Sequence, residues 1–396
     1  MTDFNKKIDR RQSKVRKWDK HLIQNKYHLG DDAIPMDIAD LDFECAPAIK
    51  QALIERSMLG DFGYSYTYDE YYDAIIHWNK RRFNIELKKE WIQLTFGTCG
   101  TLHYIIQTFC SPHNAVMINT PAYAPFADAV FHGDCRLIKN PLKLVNMRYY
   151  FDFELMEQQF IEHQVKAFIL CSPQNPSGRV WTKEELYQLS ELCLKYNVLL
   201  ISDEIHRDII HKGTTFVSLW NAHPNIKDLS IVCVSPNKGF NLGGLKSSYV
   251  TIANPQIRIQ FQDYLKRVYV TSPHVFVIPA LIAAYNESED WLDELGDYIE
   301  ENFNLAYSWF ETHMPKAKVM KADSSFLIWA NIEDVFEDEI ALTNFFQKAA
   351  VTMVPGSYFV DHGQGWVRLN LGTQKEVLKT VFNRFEALLQ MQYKHP

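Results

Sequence analysis

The sequence has no apolar run long enough to span a bilayer, and no apolar stretch follows its basic N-terminal residues, so neither a membrane anchor nor a secretory leader is expected. It has no Cys-x-x-Cys pair. Its seven cysteines (Cys45, Cys99, Cys110, Cys135, Cys171, Cys193 and Cys233) are odd in number and spread through apolar segments, which argues against a disulfide framework or a zinc site and for reduced, buried thiols in a cytoplasmic protein. Nor does it carry charge of one sign: the formal net charge is -7, with no large basic field for nucleic acid. The one basic cluster, Lys6, Lys7, Arg10, Arg11, Lys14, Arg16, Lys17 and Lys20, is short, broken by acids, and reads as a solvated arm. Internal repeats and low-complexity linkers are missing as well.

What remains is a chain of 396 residues, 47% hydrophobic and 22% charged, able to bury a large core and expected to divide into roughly two or three domains. Its middle alternates short β-rich runs with amphipathic helical ones, the pattern of a parallel sheet covered by helices. Ala115 to Asn119 stops at Thr120-Pro121, Ala167 to Cys171 at Ser172-Pro173, and Val198 to Ser202 at Asp203-Glu204. Between the last two runs, Thr182 and Glu185 have capping-box spacing ahead of Leu186, Leu189, Leu192 and Cys193 on one helical face, which makes a βαβ unit. Leu229 to Val234 is a further strand leading into Ser235 and Lys238. In such sheets the ligand crevice lies beyond the carboxyl ends of the strands, so these punctuated ends predict one shared site. From about Trp291 onward, long helices and strands at 325–329 and 366–370 suggest a smaller α+β domain, joined by part of the N-terminal segment.

The residues at those strand ends suit pyridoxal 5'-phosphate (PLP), which needs a lysine for a Schiff base, an acid for its pyridine nitrogen and a nest of donors for its phosphate. Lys238 stands four residues past a strand, beside Gly239 and ahead of Gly243-Gly244. Asp203 places a carboxylate at a sheet end, where a buried anion needs a cation. In Ser172-Pro173-Gln174-Asn175-Pro176-Ser177-Gly178 two prolines and a glycine hold the Asn175 amide in one place. Thr95 to Gly100 opens a helix whose free amides suit a phosphate, with Thr98 and Cys99 at its start and Ser235 and Lys246 as a hydroxyl and a second cation. Taken singly, each has an ordinary reading: a loop lysine, a capping or salt-bridged aspartate, an Asn-Pro turn, a generic helix start.

In this order the motifs resemble fold-type I PLP enzymes, the aspartate aminotransferase superfamily, over nearly the whole chain. They are most similar to the cystathionine β-lyase-like C–S lyases of the MalY/PatB group. Lys17-Trp18-Asp19, the stretch from Pro35 to Phe43, Phe62-Gly63-Tyr64, Thr120-Pro121-Ala122-Tyr123, the stretch from Cys171 to Trp181, and Ser202-Asp203-Glu204-Ile205-His206 carry the likeness. The resemblance implies an α/β fold of PLP fold type I. Its large domain, 50–290, has a mostly parallel seven-stranded sheet between helices; residues 1–49 and 291–396 form the arm and small α+β domain. It also implies a homodimer with shared sites. Lys238 becomes the cofactor-bearing lysine and base, Asp203 the partner of the pyridine nitrogen, Asn175 the donor to the phenolic oxygen, and Tyr123 the ring-stacking residue. Thr98, Cys99, Ser235 and Lys246 surround the phosphate, Tyr64 reaches the partner's site, and Arg368 clamps the substrate α-carboxylate, as a guanidinium fork can.

His206 stands where most aminotransferases of the superfamily have a tyrosine, and so favours the lyase group; a packed histidine is its ordinary reading. Asp37 stands where a tryptophan is usual and Leu41 where a methionine is usual, both near the expected substrate side. The implied reaction is α,β-elimination from L-cystathionine, L-cysteine or a related S-substituted cysteine, giving a thiol, pyruvate and ammonia. The alternative is transamination by the same cofactor site.

Overall fold

The computed structural model describes residues 2–361, 363 and 365–394. Its largest sheet has seven strands: β1 (Ile92–Phe96), β2 (Ala115–Thr120), β3 (Arg136–Pro141), β4 (Val165–Cys171), β5 (Leu199–Asp203), β6 (Ser230–Val234) and β7 (Ser247–Thr251), in the spatial order β1-β7-β6-β5-β4-β2-β3. β2, β3, β4, β5 and β6 pair in parallel, and β7 runs antiparallel to both β6 and β1. β2, β5, β6 and β7 are buried along their whole length, as expected of strands with helices on both faces.

The helix Lys183–Tyr196 between β4 and β5 begins with the expected capping box: Thr182 Oγ1 accepts from the Glu185 amide at 3.2 Å, and Glu185 Oε2 accepts from the Thr182 amide at 2.8 Å. Leu186, Leu189 and Cys193 are buried, while Leu192 is only half-buried. Ser190 takes a core position and donates its hydroxyl to the Leu186 carbonyl at 2.7 Å.

A second, four-stranded antiparallel sheet has the order Lys318–Val319, Leu327–Asn331, Trp366–Asn370, Val354–Pro355, with Trp329 opposite Arg368. Ile34–Pro35 pairs in parallel with Val351–Thr352, tying the N-terminal segment to this half of the chain. The 25-residue helix Glu289–His313 buries Trp291, Leu295, Ile299, Phe303 and Phe310 at helical spacing.

The N-terminal basic cluster corrects the reading of a solvated arm. Lys17 and Arg10 are buried, at 2% and 9% exposure, because their counter-ions come from Asp40 and Asp42. Asp42 accepts from Arg10, Lys17 and Trp18, each at 2.7 Å. The remaining lysines and arginines of the cluster are exposed. The cysteines are all unpaired, but they are not all buried: Cys45 and Cys171 are half-buried and Cys99 is exposed. Among the described residues no helix is long and apolar enough to cross a membrane.

Candidate active site

The parallel strands of the large sheet end at one edge, and β7, running the other way, starts there. The segments after β1, β2, β4, β5 and β6 and before β7 therefore converge on a cavity of about 930 Å³, closed on one side by Arg368 of the second sheet. Every residue given a catalytic, cofactor- or substrate-binding role from the sequence lines it except Tyr64.

Asp203, the last residue of β5, is 4% exposed, and among the described residues its carboxylate accepts a single hydrogen bond, from the Ile205 amide at 3.3 Å. It makes no ion pair among the described residues, and burial pushes its carboxyl up to about 7. A carboxyl in that condition is a receptor for a buried cation, which a protonated pyridine nitrogen would supply. Lys238 is half-buried and donates Nζ to the Ala39 carbonyl at 2.6 Å, and burial pushes its amine below the usual lysine range. Its neutral, nucleophilic form is easier to reach than that of an exposed lysine.

Asn175 is held by its loop. Gln174 donates Nε2 to the Pro121 carbonyl at 2.8 Å and its Oε1 accepts from the Ser177 amide, which fixes the turn after β4. Asn175 Oδ1 accepts from Arg368 Nη1 at 3.0 Å, an arrangement that aims the amide nitrogen away from Arg368. Arg368 Nη2 donates to the Asp37 carbonyl at 2.8 Å, and its Nε is buried without a partner among the described residues. An orphaned guanidinium N–H in a cleft fits a ligand carboxylate. Tyr123 is half-buried with its hydroxyl beside the Cys99 thiol, and burial raises its phenol above the usual range.

At the other end of the cavity Gly97, at φ +82°, turns β1 into the helix Thr98–Phe109, whose N-terminus has no side-chain cap. The amides of Thr98 and Cys99 are among those such a helix start leaves free. Lys246 approaches the same turn: a Cβ on Gly97 would lie 3.4 Å from Lys246 Cδ. Lys246 is exposed to the cavity and has no ion pair among the described residues. Free amides, a positive helix end and an unpaired lysine fit a phosphate. Ser235 differs from the expectation of a free hydroxyl: it donates to the Ser247 carbonyl at 2.6 Å and accepts from the Asn237 amide at 3.1 Å, so it must turn to serve a phosphate.

Tyr64 is not in its own chain's cavity. It is fully exposed, between Asp61 and Tyr68. His206 lines the cleft with Nδ1 3.3 Å from Ser325 Oγ; burial first, then the charges of Lys238 and Arg368, push its imidazole down to about 3, so it is neutral. Asp37 reaches the cavity but is occupied, accepting from Tyr27 at 2.6 Å and Thr352 at 2.7 Å. Leu41 does not: it is 1% exposed in the core, against Gly372. Three groups escaped the sequence reading. The Ala39 carbonyl is a backbone acceptor that any residue supplies, while Tyr27 and Ser325 stand in no recognisable motif.

Residues 31–385 match the aminotransferase class I and II family. The chain belongs to that family. The chain is 36% identical to cystathionine β-lyase PatB of Bacillus subtilis, over 98% of its length and 100% of that protein. It is 30% identical to protein MalY of Escherichia coli, over 96% of each. Cystalysin of Treponema denticola, solved with pyridoxal 5'-phosphate, superposes with a TM-score of 0.94 at 28% identity, covering 99% of this chain and 100% of that one. The PLP-bound C–S lyase of Staphylococcus hominis in complex with L-cycloserine gives 0.92 at 27% identity, covering 98% of each. The family is PLP-dependent, and PLP is the cofactor that the cavity's residues fit.

Proposed function

We propose that this chain is a PLP-dependent carbon–sulfur β-lyase, of the cystathionine β-lyase type, that acts on L-cystathionine, L-cysteine or related S-substituted cysteines. The observation that carries the reading is the meeting, in one cleft, of a cation-seeking Asp203, a Lys238 amine of lowered basicity and an Arg368 fork with an orphaned Nε. The similarity to PatB along the whole chain supports it.

The cofactor, when bound, supplies an electrophilic carbon for amines and a ring that accepts electrons from the substrate's Cα. Asp203 would hold the proton at the pyridine nitrogen. The Asn175 amide would donate to the phenolic oxygen, Tyr123 would lie against the ring, and Lys246 with the Thr98 and Cys99 amides would bind the phosphate, joined by Ser235 once its hydroxyl turns. Arg368 grips the substrate α-carboxylate and thereby turns its Cα hydrogen toward Lys238. Lys238 Nζ takes that proton; the Cβ–S bond then breaks, and the sulfur leaves with its electron pair and is protonated to a thiol or sulfide. The remaining 2-aminoacrylate hydrolyses to pyruvate and ammonia. His206, neutral and within hydrogen-bond distance of Ser325, lines the cavity without adding charge.

The working unit in this proposal is a cytoplasmic homodimer in which Tyr64 enters the partner's cleft. The exposure of Met58, Leu59, Phe62, Tyr64 and Tyr66 within one short stretch supports a covering surface from a second copy. We also take 50–290 as the large domain and 1–49 with 291–396 as the small one, a division supported by the pairing of Ile34–Pro35 with Val351–Thr352.

The test is pyruvate and thiol release from L-cystathionine or L-cysteine by the purified yellow protein, with no keto acid added. Transamination is the second reading, since these contacts serve both reactions and the chain is 24% identical to aspartate aminotransferase of Bacillus subtilis. Glutamate formation from 2-oxoglutarate and an amino acid, without pyruvate in the first assay, would establish it.

A further inference from the structure

The two motifs Lys17-Trp18-Asp19 and Asp37 to Phe43 meet around Lys238. Six consecutive carbonyls, those of Asp37, Ile38, Ala39, Asp40, Leu41 and Asp42, each accept from a side chain: Arg368, Asn370, Lys238, Lys17 with Asn370, Arg10, and Gln374 in turn. The strap formed by 37–42 is thus pinned at every residue, and the Ala39 carbonyl that receives Lys238 Nζ at 2.6 Å is fixed from both sides. The Asp40 carboxylate follows directly in the chain and is paired with Arg10 Nη2 at 2.6 Å.

The charged and titratable groups facing Lys238 are Asp40 from the strap, Arg368 from the second sheet, Cys99 from the helix start, Asp203 from β5 and His206 from the turn after β5, the last neutral. Burial acts most strongly on Lys238 and lowers its basicity; of the charges, Asp40 comes first and favours the positive form of the lysine nitrogen. Arg10 holds the Asp40 carboxylate in that ion pair; among the described residues it makes no hydrogen bond to Lys238, and its guanidinium also serves Asp42 and the Leu41 carbonyl.

We propose that the Arg10–Asp40 ion pair is a positioning device that sets the charge of the Lys238 nitrogen: Asp40 stabilises its protonated form, Arg10 moderates Asp40, and the pinned strap keeps both at constant distance. Neither touches substrate or cofactor. The inference rests on the reading of Lys238 as the lysine that carries the cofactor, and is independent of whether elimination or transamination follows.

The two members of the pair act with opposite sign, which separates this role from a structural one. In the holoenzyme the visible band of the lysine-bound cofactor is titrated against pH. Asp40→Asn removes the anion and lowers the midpoint, by about half to one pH unit; Arg10→Met exposes the anion and raises it by a similar amount. Arg10→Lys keeps the charge and restores the midpoint of the parent. If loosening of the strap were the only effect, the first two substitutions would move the midpoint in the same direction or leave it unmoved, and either result overturns the proposal. Should Arg10→Met fail to fold, Asp40→Asn decides alone: a lowered midpoint supports the proposal and an unchanged one overturns it. Lys238→Ala serves as the control on the underlying reading, because loss of the band there, whatever the midpoints, shows that Lys238 carries the cofactor.

Discussion

Arg368 Nη1 donates to Asn175 Oδ1 across 3.0 Å, and this bond joins the second sheet to the loop after β4. The residue proposed to hold the substrate carboxylate is therefore locked to the residue proposed to touch the cofactor's phenolic oxygen. An ammonium cannot maintain this bond, the bond to the Asp37 carbonyl and a fork toward a ligand together. Arg368→Lys is expected to raise KM for the amino-acid substrate about 10- to 100-fold, as loss of a charge-assisted pair of roughly 1.5–3 kcal/mol requires. The visible cofactor band should persist. Steady-state kinetics check this, and an unchanged KM would remove Arg368 from the substrate site.

Asp203 makes a prediction about the cofactor-free protein. Burial lifts its carboxyl to about 7, so the folded chain keeps this proton to a higher pH than the unfolded chain, where it is lost near 4. The folded state binds more protons across that window, and stability falls as pH rises from about 4 to about 7. Asp203→Asn removes the penalty. The cofactor-free variant should be more stable than the cofactor-free parent at pH 8, by roughly 4 kcal/mol, with the two converging near pH 4. With PLP present the order reverses, because the variant lacks the anion for the pyridine nitrogen. Urea denaturation at both pH values measures it.

Gly178 closes the Asn175 loop at φ +71°, where an added Cβ would lie 2.8 Å from the Ser324 carbonyl oxygen and 2.9 Å from Ala322 Cβ. Both neighbours belong to the turn that bears Ser325, the partner of His206. Gly178→Ala is expected to cost about 1–3 kcal/mol in denaturant unfolding and to lower cofactor affinity. Full stability in the variant would show that the turn yields without loss.

Tyr64 offers a test by complementation. If it serves the partner's cleft, Tyr64→Ala and Lys238→Ala chains are each inactive as homodimers, and a hybrid dimer regains one intact site. Co-expression with two affinity tags should recover activity approaching half that of the parent dimer. No recovery in an isolated hybrid would place Tyr64 outside the shared site.

The sequence exposed the parts of the site that depend on punctuated strands. Asp203, Asn175 and Lys238 follow buried runs that end in turn residues, and the Thr182–Glu185 box marks the intervening helix in the observed register. β1, β3 and β7 are not legible as strands in the sequence. β3, Arg136-Leu137-Ile138-Lys139-Asn140-Pro141, has only two adjacent aliphatic residues among polar ones at the sheet's edge, and β7, Ser247-Ser248-Tyr249-Val250-Thr251, opens with two serines directly after a loop. The basic arm misled for a different reason: the acids that bury Arg10 and Lys17 lie more than twenty residues further along the chain, beyond any local pattern of charge. The Ala39 carbonyl has no side-chain signature at all.

The central claim is that the cleft around Lys238 breaks a carbon–sulfur bond, and one reaction mixture tests it: holoenzyme, L-cystathionine and 2-oxoglutarate together, with pyruvate, homocysteine and glutamate followed in parallel. Pyruvate and homocysteine rising in equal amounts, with no glutamate and with both products abolished by Lys238→Ala, is the result expected. Glutamate accumulating without pyruvate would contradict it.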